Sequence, residues 1–205
     1  MERDPILKAI SDMRAFASRV RECDRRWQFL KRGGSGRIVY DYNDALVLKL
    51  ARNAKGIAQN QTESDGFIQQ EYAGSVVAPV LDSCPDDKWI LMRKAVRAKP
   101  SDFKKILGFA WVDIQKWIRF RFPGSSFRHE CMDCEQKSHA MDENEQLSEL
   151  LDLACNFAIP YGELVCLSSW GIVDEKLLLI DYGITQSVYE EYYEKKPRPS
   201  SSFVR

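Results

Sequence analysis

The sequence predicts an α+β fold, with a five-stranded antiparallel sheet and one helix in its first half and a small, mostly helical second half. Short runs rich in β-branched and aromatic residues recur in the first half, and a polar stretch with helical spacing follows the third run. In the second half, apolar residues recur at helical spacing. A chain of 205 residues suffices for one large core or for two small lobes that share a cleft. We expect a two-lobed protein that folds as one unit.

The predicted strands are bounded by glycines or other turn-forming residues, and the first three form an antiparallel meander. They are RWQFL (26–30), RIVYDY (37–42), ALVLKL (45–50), VVAPVLD (76–82) and KWILMR (88–93). Ahead of them, an amphipathic stripe predicts a helix that packs on the core. Residues 54–73 read as the helix after the third strand.

Helical spacing in the second half predicts one helix over residues 101–118 and another over 147–159, which Pro160 ends. The strand KLLLID (176–181) follows a predicted loop. The expected division is an N-terminal helix, a first lobe, a second lobe with an exposed polar insert, and a loosely held tail. The corresponding residues are 1–25, 26–95, 96–187 with the insert at 123–145, and 188–205.

Composition narrows the classes of function. With 44% apolar and 29% charged residues, the sequence has no apolar run near the roughly 20 residues of a membrane helix. The first residues lack the pattern of a secretory signal, so we expect a cytoplasmic protein with no membrane partner. A formal net charge of zero gives no reason to expect nucleic acid. The six scattered cysteines are expected to be reduced thiols.

A glycine-rich segment lies between the first two predicted strands. Because glycine lacks a Cβ, the backbone amides of Gly33, Gly34, Ser35 and Gly36 could approach a phosphate closely. The alternative is that the segment is only a hairpin turn.

Lys49 interrupts the apolar run ALVLKLA, where its neighbours are expected to be buried. It is either an edge-strand lysine that faces solvent or one half of an ion pair. The helix that follows offers Glu63 and Glu71 as partners, and the sequence does not decide between them.

A carboxylate ends the last apolar strand, in LLLIDYGIT. The order of glycine hairpin, strand lysine, helix glutamate and strand-end aspartate resembles the protein-kinase-like superfamily, in the compact form found in phages and bacteria. The resemblance implies that ATP binds with Mg²⁺, with Lys49 on the phosphates, Glu63 orienting it and Asp181 on the metal. Tyr182 replaces the usual phenylalanine, and Gly183 would permit a sharp turn.

The resemblance places a catalytic loop at IPYGELVCLSSWGIV. Glu163 stands where the family has its aspartate base, and Ser168 stands where it has an asparagine for a second metal. Serine is the poorer metal ligand, so the chemistry departs from the family there. The resemblance also implies that backbone groups near Met92, Arg93 and Lys94 meet adenine.

The insert HECMDCEQKSH contains both histidines of the protein. His129, Cys131, Cys134 and His139 offer enough ligands for a tetrahedral zinc ion, although their spacing matches no common finger. The alternative is a polar loop with two surface cysteines. A zinc knuckle here could dock protein or nucleic acid.

Three functions are compatible with the sequence. The first is phosphoryl transfer from ATP to a protein or a small hydroxyl compound, with the substrate platform absent or supplied by another chain. The second is a pseudokinase that binds and inhibits or scaffolds a partner protein. The third is a zinc-dependent interaction protein.

Overall fold

The computed structural model describes residues 4–31, 36–121 and 135–194. It has the expected α+β composition and the expected five-stranded antiparallel sheet. In the described residues the strands are β1 (Gln28–Lys31), β2 (Arg37–Asp41), β3 (Leu46–Ala51), β4 (Val80–Ser83), β5 (Trp89–Arg93), β6 (Val96–Arg97), β7 (Trp170–Val173) and β8 (Lys176–Leu179). The α-helices there are α1 (Pro5–Asp12), α2 (Phe16–Asp24), α3 (Ala54–Glu63), α4 (Gly66–Glu71), α5 (Pro100–Leu107), α6 (Trp111–Arg121), α7 (Glu135–Asp142), α8 (Glu145–Asn156), α9 (Tyr161–Leu164) and α10 (Gln186–Tyr192).

The main sheet has the strand order β1-β2-β3-β5-β4, and every neighbouring pair is antiparallel. Along β3, alternate side chains point to opposite faces. Leu48 and Leu50 pack with Leu7 and Ile10 of α1 in one apolar cluster, whereas Val47 belongs to a second cluster on the other face. Because both faces are covered, β3 is apolar at nearly every position. Lys49 shares the face of Val47.

A second sheet, with the order β6-β7-β8, corrects the prediction that residues 161–173 form only a loop. The hairpin between β7 and β8 turns at Asp174 and Glu175, whose φ angles are 48° and 65°. Positive φ at both central residues is typical of the tight turn in a two-residue hairpin, and that turn usually carries asparagine or glycine. An Asp-Glu pair gives no such signal, so the sequence did not reveal the hairpin.

Three predicted helices are each divided in two. The N-terminal helix breaks between α1 and α2, where Met13 and Ala15 adopt extended backbone conformations. The helix predicted over 101–118 ends at Gly108, whose φ of +84° closes α5. The polar stretch after β3 likewise forms two helices, since Asp65 caps a new one, α4. The predicted insert, residues 123–145, contains the helix α7. Residues 122–134 lie outside the described residues.

Residues 186–192, most of which were predicted to belong to a loose tail, form α10, which packs against α3. Its first turn is capped by Thr185, whose hydroxyl accepts from the Val188 amide at 3.3 Å. Beyond the helix, the Tyr193 hydroxyl accepts a hydrogen bond from Nε2 of Gln59 at 2.7 Å, and the Lys55 ammonium lies 3.9 Å from the centre of its ring. Residues 195–205 lie outside the described residues.

Across the described residues, no helix combines the length and the apolar character needed to cross a bilayer. Of the six cysteines, the four in this part of the chain are all unbridged, as expected: Cys23, Cys84, Cys155 and Cys166.

We predict that Gly56→Ala destabilises the protein. Gly56 lies in α3, where an added Cβ would come within 2.1 Å of the Gly36 carbonyl oxygen and 3.0 Å of the Ala51 Cα. These neighbours are backbone atoms, which can shift only if the packing of β2 or β3 is strained. The expected loss in the free energy of unfolding is therefore about 3 kcal/mol. Urea denaturation measures it.

The matched control is Gly66→Ala in the exposed first turn of α4, where an added Cβ meets no atom within 4 Å. This change should leave stability equal or raise it by up to about 1 kcal/mol through helix propensity. Equal stabilities for the two variants would contradict the packing of Gly56 on Gly36.

Candidate functional site

A cavity of about 720 Å³ lies against the face of the main sheet that carries Val47 and Lys49. Its volume falls within the range of small-molecule sites, roughly 300 to 1,000 Å³. The lining is rich in positive charge: among the described residues it includes five basic side chains, Arg37, Lys49, Arg93, Lys94 and Arg97, but one acidic side chain, Asp181. Such a lining favours an anionic ligand.

The carboxylate of Glu63 is the centre of the site and is fully buried at the end of α3. Its Oε2 accepts from Lys49 Nζ at 2.6 Å, while its Oε1 accepts from Arg37 Nη2 at 2.9 Å and from the Tyr182 amide at 3.3 Å. Glu71 is exposed on α4. The structure therefore pairs Lys49 with Glu63. The lysine also donates to the Ile180 carbonyl at 2.6 Å, immediately before Asp181.

Arg37 joins the two carboxylates of the site, a role that the sequence reading missed. Its Nη2 lies 2.5 Å from Oδ1 of Asp181 as well as 2.9 Å from Glu63, and its Nη1 donates to Oδ1 of Asn60 at 3.3 Å. Only 7% of the residue is exposed. The sequence offered one signal, the position of Arg37 directly after Gly36. Because Arg37 and Val39 are two residues apart on β2, their side chains lie on the same face of the sheet, and both line the cavity.

Two cations and two carboxylates thus form one balanced network. Burial alone would lower the pKa of the Arg37 guanidinium, but Glu63 and Asp181 outweigh burial and raise that pKa above its ordinary value. For Lys49 burial prevails: the pKa of its ammonium is lowered, with Glu63 opposing the change and the nearby Arg37 adding to it. The two cations therefore depend on the carboxylates they share.

The segment after Asp181 is fixed to α3. Tyr182 is fully buried, and its hydroxyl donates to the Glu63 carbonyl at 3.1 Å and accepts from Gln69 Nε2 at 2.8 Å. Gly183 does not have a positive φ. Glycine is needed because a Cβ would lie 2.5 Å from the Gln59 carbonyl oxygen. The close approach to α3 therefore aims Asp181, whose side chain is 38% exposed, at the cavity.

Ser168 and Glu163 occupy different positions relative to the cavity. Ser168 lines it, and its hydroxyl lies 3.2 Å from Sγ of Cys166. Glu163 lies on α9, half-buried, and is not one of the described lining residues. Burial, and then the charge of Asp181, raise the pKa of its carboxyl group above the ordinary value. The two carboxylates therefore interact, although no hydrogen bond joins them.

The residues expected to meet adenine follow the end of β5. Met92 is buried and lines the cavity with Arg93 and Lys94. The amides of Arg93 and Lys94 donate to the carbonyls of Pro79 and Ala45 at 2.9 and 2.8 Å, so these two donors are already used. The Lys94 ammonium also holds both oxygens of Asp41, at 2.7 and 2.8 Å.

Several predicted site residues fall beyond the described ranges. Gly33, Gly34 and Ser35 do so, whereas Gly36 lines the cavity, and its carbonyl accepts from the Arg52 amide at 2.7 Å.

The proposed zinc ligands His129, Cys131 and Cys134 are also outside the described residues. His139 is exposed on α7, with Nδ1 3.7 Å from Oε1 of Glu143. Within the described ranges, no three His, Cys, Asp or Glu side chains are grouped to hold a metal.

Comparison of the chain with models of protein families, with curated proteins and with solved structures gives no match. Inferences about function therefore start from the geometry of the cavity.

We predict that Glu63→Gln destabilises the protein by about 3 to 5 kcal/mol, because it leaves two buried cations with one carboxylate between them. Chemical denaturation measures the loss. Glu71→Gln is the matched control on the neighbouring helix, and at this exposed position it should change stability by less than about 0.5 kcal/mol. Similar losses in the two variants would rule out Glu63 as the buried anion of the site.

The raised pKa of Glu163 predicts a pH-dependent effect of Glu163→Gln. In the folded state the ionised form is disfavoured, so its cost to stability is present above the folded-state pKa and absent below the unfolded-state pKa of about 4.5. The variant should therefore be more stable than the unmodified protein at pH 8. This gain in stability should vanish as the pH falls below the pKa of a free glutamate side chain. Denaturation at a series of pH values measures the difference, and a gain that persists in acid would contradict the assignment.

Proposed function

We propose that the protein is a two-lobed, kinase-like phosphotransferase that binds ATP with Mg²⁺ in the cavity and transfers the terminal phosphoryl group to a hydroxyl group. The observation that carries the proposal is the ion pair between Lys49 and Glu63, at 2.6 Å, on the cavity wall that also bears Asp181. A lysine fixed in this way is a point charge positioned for phosphate oxygens.

Electrostatics and size support a nucleoside triphosphate as the ligand. Asp181 and Glu63 balance Arg37 and Lys49, while Arg93 and Arg97 add positive charge to the lining that would offset the charge of the phosphates. A volume of about 720 Å³ accommodates a nucleotide. The base would lie toward Met92. Because the amides of Arg93 and Lys94 are already bonded, the backbone of Ala95, which also lines the cavity, is the better placed to meet it.

The residues present fit one magnesium ion better than two. Asp181 offers a half-exposed carboxylate at the cavity, the ligand type that Mg²⁺ prefers, and would hold the ion. Ser168 offers a hydroxyl group in place of the second metal's amide ligand. When bound, the metal supplies positive charge to the phosphates.

Phosphoryl transfer would need a group to take the proton of the acceptor hydroxyl. As the bond from the terminal phosphorus to the bridging oxygen breaks and a bond to the acceptor oxygen forms, Glu163 would accept that proton, leaving a nucleoside diphosphate. Burial and the charge of Asp181 raise the pKa of the Glu163 carboxyl group, which makes the carboxylate a stronger base than a free glutamate. The acceptor would lie between Glu163 and the cavity, on a protein or a small hydroxyl compound.

A second function, a pseudokinase that serves as a binding module for a partner protein, is favoured by one observation. Arg37 already neutralises Asp181, at 2.5 Å. If that contact persists with nucleotide bound, Oδ1 of Asp181 stays engaged by the guanidinium, the carboxylate is a weaker ligand for the metal, and transfer is impaired.

We predict that ATP with Mg²⁺ raises the melting temperature, and that Lys49→Met and Asp181→Asn each reduce the shift and lower γ-phosphoryl transfer at least about a hundredfold. Differential scanning fluorimetry and transfer of radiolabelled phosphate to added proteins and hydroxyl compounds measure the two effects.

Lys105→Met on α5 and Asp152→Asn on α8 are exposed controls and should match the unmodified protein. Binding without transfer would support the pseudokinase. No response to nucleotide would contradict both functions.

A further inference from the structure

The guanidinium of Arg37 contacts Asp181, the carboxylate that would hold the metal ion. One nitrogen, Nη2, lies 2.5 Å from Asp181 Oδ1 and 2.9 Å from Glu63 Oε1, so a single cation contacts both carboxylates. A magnesium ligand lies at about 2.1 Å from the ion, and a lone pair already engaged by an N–H group is not available to it. The metal and Arg37 therefore compete for Oδ1 of Asp181.

We propose that Arg37 is a phosphate-binding residue that exchanges its contact with Asp181 for the nucleotide phosphates when a metal ion binds Asp181. This inference rests on the proposed function, since it concerns the same nucleotide and the same carboxylate.

The remaining contacts of Arg37 make this exchange local. After its bond to Asp181 breaks, Nη2 still pairs with Glu63, and Nη1 still donates to Asn60 at 3.3 Å. Glu63 holds Lys49 at 2.6 Å through its other oxygen, Oε2. The guanidinium is thus tethered at the cavity wall and needs only a new anion in place of Asp181.

A phosphate oxygen is that anion. Arginine presents several N–H donors in a planar fork that suits phosphate, and Arg37 lines the cavity beside Lys49. Since Ser168 is a poor ligand for a second metal, Arg37 would also supply the positive charge that a second metal gives elsewhere, as an arginine does in cis in some nucleotide hydrolases.

The exchange requires that loss of the guanidinium has opposite effects on the two ligands. Without its competitor, Asp181 should bind metal more tightly. Without a phosphate partner, metal-free nucleotide should bind more weakly. A residue that merely braced the site would weaken both kinds of binding when removed.

The test is a pair of titrations on unmodified protein and on Arg37→Met. Mn²⁺ is titrated without nucleotide and followed by electron paramagnetic resonance. A non-hydrolysable ATP analogue is titrated in EDTA and followed by calorimetry. We expect Arg37→Met to bind Mn²⁺ about tenfold more tightly and the analogue about tenfold more weakly, since one charge-assisted bond is exchanged in each case.

Arg37→Lys keeps the test decisive if Arg37→Met does not fold. Lysine retains the charge, but its side chain is one bond shorter than that of arginine, so its ammonium group does not reach the position from which Nη2 contacts both carboxylates. It should bind Mn²⁺ more tightly than the unmodified protein and the analogue nearly as well. Arg21→Met, on the exposed side of α2, is the matched control and should change neither titration. Asp181→Asn should abolish Mn²⁺ binding.

The two proposals fail in different ways. If the unmodified protein has no affinity for the analogue with or without metal, the proposed function is overturned. If it binds the analogue but neither Arg37 variant binds Mn²⁺ more tightly than it does, the role of Arg37 is overturned and the proposed function stands.

Discussion

The buried carboxylate of Glu63 is the interaction on which the rest of the site depends. It lies at the end of α3 with no solvent contact and joins a lysine from β3, an arginine from β2 and the backbone amide of Tyr182. An isolated charge in that position would be strongly unfavourable, so the two cations and the amide stabilise it as a set. One side chain therefore fixes the positions of the sheet, α3 and the segment after β8 relative to one another.

Backbone packing supports the same arrangement. Gly36 approaches the first turn of α3, and Gly183 approaches the carbonyl of Gln59 in the middle of that helix. Tyr182 adds a hydrogen bond to the carbonyl of Glu63 itself. Since each contact fixes α3 against a segment that borders the cavity, a displacement of the helix would disturb both the ion network and the cavity wall.

The parts of this site that could be predicted from sequence were those with local signals. Lys49 stands out because it interrupts an apolar strand, and Asp181 because it ends another. Arg37 could not be found in this way, because its role depends on the register between β2 and β3 and on a carboxylate far along the chain.

The same limit applies to the fold. The sheet followed from alternating and apolar runs, whereas α10 is polar and rich in tyrosine and glutamate, so composition suggested a tail. Its helix depends on the cap at Thr185 and on Tyr193, which binds Gln59 of α3. A local sequence pattern carries no signal of such tertiary contacts.

The central claim is that Lys49 and Asp181 converge on one triphosphate, directly and through a metal. The most direct measurement is a crystal structure with a non-hydrolysable ATP analogue and Mn²⁺, whose anomalous scattering locates the metal. The account predicts phosphate oxygens at Lys49, manganese at Asp181, and Arg37 moved from Asp181 to the phosphates. A cavity without nucleotide at saturating ligand, with Arg37 still bound to Asp181, would contradict it.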